Sequence, residues 1–220
     1  MIVCSLNEVE AYARRAARGA GMHWGLAEEA GKATRWLAER DLPGVPLLAE
    51  LLTANRERAY EDMAPVIVDG RWRAAKGELC PLCSGAALWD RSDLLTVGEE
   101  IHLLALGCPL LLTPFLDQTR RSRDACWELR WTGVRIAVSA GGVAVECSEE
   151  SALLTGRADE VTVLVGADSS AGPTHRPRTA GVSIPIAAWR TLEALAKRTY
   201  VPASEESRAR GAGAGSTDND

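Results

Sequence analysis

From Trp127 to Cys147 the chain alternates apolar and polar residues with a period of two. Trp127, Leu129 and Trp131 interleave with Glu128 and Arg130; Val134, Ile136 and Val138 interleave with Arg135 and Ala137, and a third run covers 143–147. Thr132-Gly133 and Gly141-Gly142 fall where tight turns are needed. This pattern predicts antiparallel strands, each with one apolar face that another layer must cover. A further strand at 161–165 is expected to complete a meander of at least four strands.

The cover is expected from helices. Ser5 followed by Glu8 is a capping-box pattern, and Leu6, Val9, Tyr12, Ala13, Ala16 and Ala17 then form one apolar stripe at helical spacing. That helix should run to Arg18, where Gly19-Ala20-Gly21 stops it. A second helix from near Gly25 puts Leu26, Ala30, Ala33 and Leu37 on its core face, and Asp41-Leu42-Pro43-Gly44 breaks it. A third is predicted over 45–59, with Leu47, Leu48, Leu51 and Leu52 inward. Asp69-Gly70, between Val66-Ile67-Val68 and Arg71-Trp72-Arg73, supplies the positive φ angles of a hairpin turn. A helix over 86–95, a strand over 101–106, and a helix from Pro114 to about Arg123 capped by Thr113 follow. Trp189, Leu192, Leu195 and Ala196 mark a last amphipathic helix. The class is α+β, helices on an antiparallel sheet.

At 220 residues and 46% hydrophobic content the chain can bury one sizeable core, so a single domain over 1–202 is expected, followed by a Gly/Ala-rich tail over 203–220. With 25 Lys+Arg against 30 Asp+Glu the net charge is −5, which gives nucleic acid phosphates little to attract and makes nucleic acid an unexpected partner. The longest apolar stretch, 103–116, is short and broken by Gly107, Pro109 and Pro114, so no membrane span is expected. Residues 1–8 carry no basic stretch leading into an apolar one, which favours a cytoplasmic location. Six unevenly spaced cysteines then read as buried free thiols rather than a disulfide framework.

Candidate chemistry gathers near the first two helices. Glu28 and Glu29 point about 100° apart on a helix, so they are no dyad. Glu28 faces Lys32 on the polar side as an ordinary ion pair, whereas Glu29 lies at the edge of the apolar stripe beside Ala33 and Trp36, where burial would suit it to acid-base work. The bland alternative has both acids complementing the positive end of the helix dipole. Arg14 and Arg18 stand one turn apart with Asn7, near the exposed backbone of 19–25, a surface fit for a carboxylate or phosphate unless Glu10 neutralises Arg14. His23 in the glycine loop is the candidate proton carrier.

Cys80-Pro81-Leu82-Cys83 with His102 and Cys108 spells a loose zinc pattern, but no second knuckle follows and buried thiols are the stronger expectation. A thioredoxin-like motif is weaker still, because Cys80-Pro81 is not expected to open a helix. No serine sits in a nucleophile elbow, and Gly19-Ala20-Gly21 follows a helix where a dinucleotide fingerprint must follow a strand. No cofactor is indicated. In the tail, Asp218 and Asp220 would present carboxylates to a hard cation or to the Arg14/Arg18 surface.

Three stretches resemble a family of unknown function found mainly in proteobacteria. They are Leu6-Asn7-Glu8-Val9-Glu10-Ala11, the run from Arg18-Gly19-Ala20-Gly21-Met22-His23-Trp24-Gly25 to Ala33, and Arg198-Thr199-Tyr200-Val201-Pro202-Ala203-Ser204 continuing to Asp218-Asn219-Asp220. The resemblance implies a cytosolic bacterial protein and no particular activity. Two function classes follow from the residues. One is a small-molecule metabolic enzyme with Glu29 as acid/base, His23 as proton carrier, and Arg14 or Arg18 holding an anionic substrate. The other is a noncatalytic accessory subunit or interaction protein for a metabolic enzyme.

Overall fold

The computed structural model describes residues 1–123, 125–166, 174–175, 177 and 181–200; Asp218, Asp220 and the tail around them lie outside the described residues. A three-residue strand, β1 (Ile2–Cys4), leads into α1 (Leu6–Gly19). The capping box forms as expected: the Glu8 amide donates to Ser5 Oγ at 3.2 Å, and the Glu8 carboxylate accepts from the Ser5 amide at 2.8 Å. Val9, Ala13, Ala16 and Ala17 are buried along the predicted stripe. α2 (Trp24–Ala38) and α3 (Gly44–Ala54) follow.

α3 ends at Ala54 instead of continuing to 59. Arg58 donates to Asn55 Oδ1 at 2.7 Å and to the Glu78 carbonyl at 3.0 Å, which pins the chain in a turn that no apolar period announces. A one-turn helix, α4 (Tyr60–Met63), comes next, then the hairpin of β2 (Pro65–Val68) and β3 (Arg71–Ala74). Asp69 and Gly70 have φ of 51° and 74°, the paired positive angles expected of that turn.

α5 (Pro81–Asp90) begins earlier than the predicted 86. Cys80 is its N-cap and Pro81 occupies the first turn, where a proline gives up no hydrogen bond, so the Cys80-Pro81 step does open a helix. β4 (Glu100–Gly107) precedes α6 (Thr113–Arg123). Thr113 does not act as a cap: its own φ and ψ of −54° and −42° are helical, and its buried Oγ1 has no hydrogen-bond partner among the described residues. The remaining elements are β5 (Trp127–Trp131), β6 (Val134–Ser139), β7 (Gly142–Cys147), β8 (Arg157–Val165), β9 (Thr174–His175), β10 (Val182–Ile184) and α7 (Ile186–Lys197).

Among the described residues eight strands form one sheet in the order β2-β3-β4-β8-β5-β6-β7-β9, antiparallel except where β3 runs parallel to β4. The protein is α+β, as its patterning predicts, but the meander is interrupted. β5, β6 and β7 follow one another, whereas β8 returns to the far side of β5 and pairs with both β4 and β5, so that Ile101, Val163 and Leu129 align across three strands. Alternation within a strand specifies which residues face inward but not which strand lies alongside. The inward face of Trp127, Leu129, Ile136, Val138, Val161 and Val163 is buried, and α6 lies against β5 and β6.

The outward face carries a cross-strand ladder of charge. Arg71 reaches Glu160, Glu160 meets His102 Nδ1 at 3.0 Å, and Arg130 bridges Glu100 and Glu128. Arg135 continues it from Glu128 to Glu146. Opposite charges facing each other across strands favour one register over its slipped alternatives.

The remaining helices form a group behind α5 and α6, with α1 packed on α2 and α7, and α3 on α2 and α7. Apart from the sheet, β1 and β10 pair antiparallel, Ile2 with Ile184. These two three-residue strands carry too little alternation to be foreseen.

Candidate functional site

α1 and α7 approach unusually closely at Gly19. A Cβ built there would stand 1.8 Å from the Leu195 carbonyl oxygen, so only glycine lets the two backbones meet. This contact brings the end of α7 beside the end of α1, and Arg198 joins Arg14, Arg15 and Arg18 around one cavity of about 640 Å³. Trp24 at the start of α2 and Glu57 from the turn after α3 also line it.

The balance of charge there is one-sided. Glu10, which the helix spacing assigns to Arg14, instead accepts from Arg35 Nη1 at 2.9 Å, and Arg35 also takes Glu39 at 2.8 Å and Asn7 Oδ1 at 3.0 Å. A neighbour on the next helix has outcompeted the one on the same helix. Arg14, Arg15 and Arg198 consequently have no carboxylate within 4.0 Å among the described residues. Arg18 donates to the Met22 carbonyl and places its guanidinium 4.6 Å from the centre of the Trp24 ring. Glu57 pairs with Arg56 at 3.3 Å. The first turn of α2 holds no acid and its N-cap, His23, makes no side-chain capping bond, so Glu28 and Glu29 do not serve as first-turn acids.

Glu29 belongs to a different place. It lines a cavity of about 200 Å³ between α2 and α6 together with Lys32, Trp36, Asp117 and Arg121. Lys32 Nζ sits 2.7 Å from Glu29 rather than pairing with Glu28, and the Glu29 side chain is 26% exposed. The strongest electrostatic feature of that cavity is Asp117, which is buried. Trp36 Nε1 donates to it at 2.9 Å, Arg121 Nη2 at 2.8 Å and Arg120 Nε at 3.1 Å. Burial alone would raise the Asp117 carboxyl, but the hydrogen bonds from Trp36 and Arg120 and the charge of Arg121 outweigh it and hold the group below its ordinary value. Arg40, also buried, stacks 3.8 Å over the Trp36 ring.

His23 lines a small cavity of about 40 Å³ with Arg58 and Tyr60, and this adjoins the arginine cavity through the shared Ala20 and Gly21. The structure therefore sets His23 next to the arginines and Glu29 apart from both. Sequence patterning also leaves four charged or aromatic members of the arginine cavity unnoticed. Arg15 is displaced one residue from the Arg14/Arg18 row, Trp24 falls at a helix boundary, Glu57 lies in the turn after α3, and Arg198 is distant in the chain.

The zinc pattern is divided. His102 turns to the polar face of the sheet against Glu160, whereas Cys80, Cys83 and Cys108 are buried in the core. Among the described residues no group of three or more His, Cys, Asp or Glu is placed to hold a metal ion. The Cys83 thiol is pushed well up by its hydrogen bond to Cys80 and by burial. Burial, with Glu50 nearby, pushes Cys108 up to about 12. Cys80 is held low by the Cys83 thiol against its own burial. Two of the three sulfurs thus resist the thiolate form that zinc requires. Protein purified without chelators is expected to carry well under one equivalent of zinc by elemental analysis, and a full equivalent that disappears in Cys83→Ser would contradict this.

The arrangement as a whole is that of an α+β protein with a cavity walled by guanidinium groups. Residues 4–80 match the model of a family described as a protein of unknown function, DUF3726. The resemblance to an uncharacterised family thus holds for the first two of the three stretches that carry it. The match spans α1 to β3 and includes Arg14, Arg15, Arg18, Trp24 and Glu57, but neither Arg198 nor Asp117. No curated protein matches the chain. Among the described residues no helix is long and apolar enough to cross a membrane.

Proposed function

We propose that this protein works in the cytoplasm on a small, multiply charged anionic metabolite held in the arginine cavity. The observation that supports it is the convergence of Arg14, Arg15, Arg18 and Arg198 on one concave site from which the nearest acid on α1, Glu10, has been drawn away by Arg35. Guanidinium groups match the geometry of carboxylate and phosphate oxygens, and several converging on one site can engage a polyanion together. His23, one cavity away, is the group suited to carrying a proton to or from a bound anion; Glu29, ion-paired with Lys32 elsewhere, takes no part.

The test is calorimetric titration of inorganic pyrophosphate. Arg14→Ala and Arg15→Ala, which break no ion pair among the described residues, are each expected to weaken binding roughly tenfold. Higher salt should weaken it further. Unaltered binding in the double variant would overturn the reading. The accessory-subunit reading draws on a separate observation: β2 is an edge strand of the sheet among the described residues, and its adjacent Val66 and Ile67 are exposed. Native mass spectrometry of purified protein distinguishes the two, since that reading requires a stoichiometric protein partner.

A further inference from the structure

Trp24 is 67% exposed at the wall of a cavity otherwise made of charge. Nothing in the packing requires it there, because the core face of α2 is formed by Ala27, Ala30, Ala33 and Leu37. Its ring carries the Arg18 guanidinium at 4.6 Å, which orients it, and there is room beside it: a Cβ at Gly21, which lines the cavity, would meet nothing within 4 Å. An exposed indole beside guanidiniums that meet no carboxylate among the described residues presents two recognition elements at once, a flat π surface and a polyanion clamp.

Among the described residues the wall carries four arginines against one glutamate, and that glutamate, Glu57, is itself engaged by Arg56. A monoanion would leave most of that charge unmatched. A volume of about 640 Å³ is also more than a bare pyrophosphate fills, and it lies within the range of sites that enclose ligands of several rings.

We infer that the arginine cavity takes a nucleoside polyphosphate, with its base stacked on Trp24 and its phosphates held by Arg14, Arg15 and Arg198. This rests on the anion-binding reading above and adds the aromatic half of the ligand. The recognition differs from a glycine-rich phosphate loop: the phosphates meet side chains, not a strand-to-helix turn. A polymer is disfavoured because the chain carries −5 overall, which leaves little general attraction for a long phosphate backbone.

The full chain is titrated calorimetrically with ATP and GTP, and in parallel with inorganic triphosphate. Both nucleotides are expected to bind about tenfold or more tightly than triphosphate, the increment that base stacking on an aromatic side chain supplies. Trp24→Ala should erase that advantage while leaving triphosphate affinity unchanged, and Trp24→Phe, which keeps a ring, should retain most of it. If triphosphate binds and the nucleotides bind no more tightly, this inference falls while the anion-binding reading stands. If Trp24→Ala weakens both ligand types alike, the division of labour assigned here is wrong. If neither triphosphate nor nucleotide binds, both readings fall together.

Discussion

Replacement of Asp117 by alanine is expected to destabilise the protein by about 3–5 kcal/mol, read as a fall in the urea midpoint with little change in slope. The carboxylate is buried and accepts from Trp36, Arg120 and Arg121. Its removal leaves the Trp36 N–H without an acceptor and two guanidiniums one residue apart without a counter-charge. The same contacts set a pH dependence of definite sign. Because the folded Asp117 carboxyl lies below its ordinary value, the stabilisation is fully present above about pH 4, where the unfolded chain is also ionised, and it is lost as pH falls toward the folded value. Asp117→Asn should therefore flatten the acid limb of the stability profile. A loss below about 1 kcal/mol, the scale of surface pairs, would show that the three contacts do not act as a buried network.

Gly19→Ala is expected to be nearly as damaging, about 3 kcal/mol, at the upper end of what overpacking usually produces. The added carbon would stand 1.8 Å from the Leu195 carbonyl oxygen and 2.7 Å from its carbon. Both are backbone atoms, so no rotamer change relieves the clash and α7 has to retreat from α1. Because α7 carries Arg198 to the cavity, pyrophosphate affinity should fall together with stability. Gly25→Ala is the control. Open space surrounds that position, and alanine's higher helix propensity should leave the protein neutral or stabilised by up to about 1 kcal/mol. Equal effects of the two substitutions would mean that the α1–α7 contact is looser than its geometry.

The parts of this structure legible in the sequence are those governed by near neighbours. Ser5 and Glu8 announce α1, Asp69-Gly70 announces its hairpin, and the alternation from Trp127 onward announces three strands, because each signal acts within a few residues. Partner choice is not local in this way. Glu10 pairs with Arg35 on another helix, Asp117 with Trp36, and β8 with β4 and β5, and each is decided by packing that brings distant segments together. The start of α5 was legible in principle, since Pro81 obeys the same first-turn rule as Pro114. The Arg14/Arg18 half of the cavity follows from helical spacing, whereas Arg198 enters only through the glycine contact.

That contact, with the pairing of Ile2 to Ile184, has a consequence for how the molecule is made. On a ribosome α1 emerges early and its partner helix α7 late, with nearly the whole sheet synthesised in between. At about 5–20 residues per second the N-terminal helices wait on the order of ten seconds or more before the surface that buries them exists. During that interval the flank of α1 around Gly19 is a bare strip of small residues, an unfinished interface open to chaperones or to another nascent copy, and the cavity lacks its fourth arginine until the strand at Val182–Ile184 and α7 have been delivered.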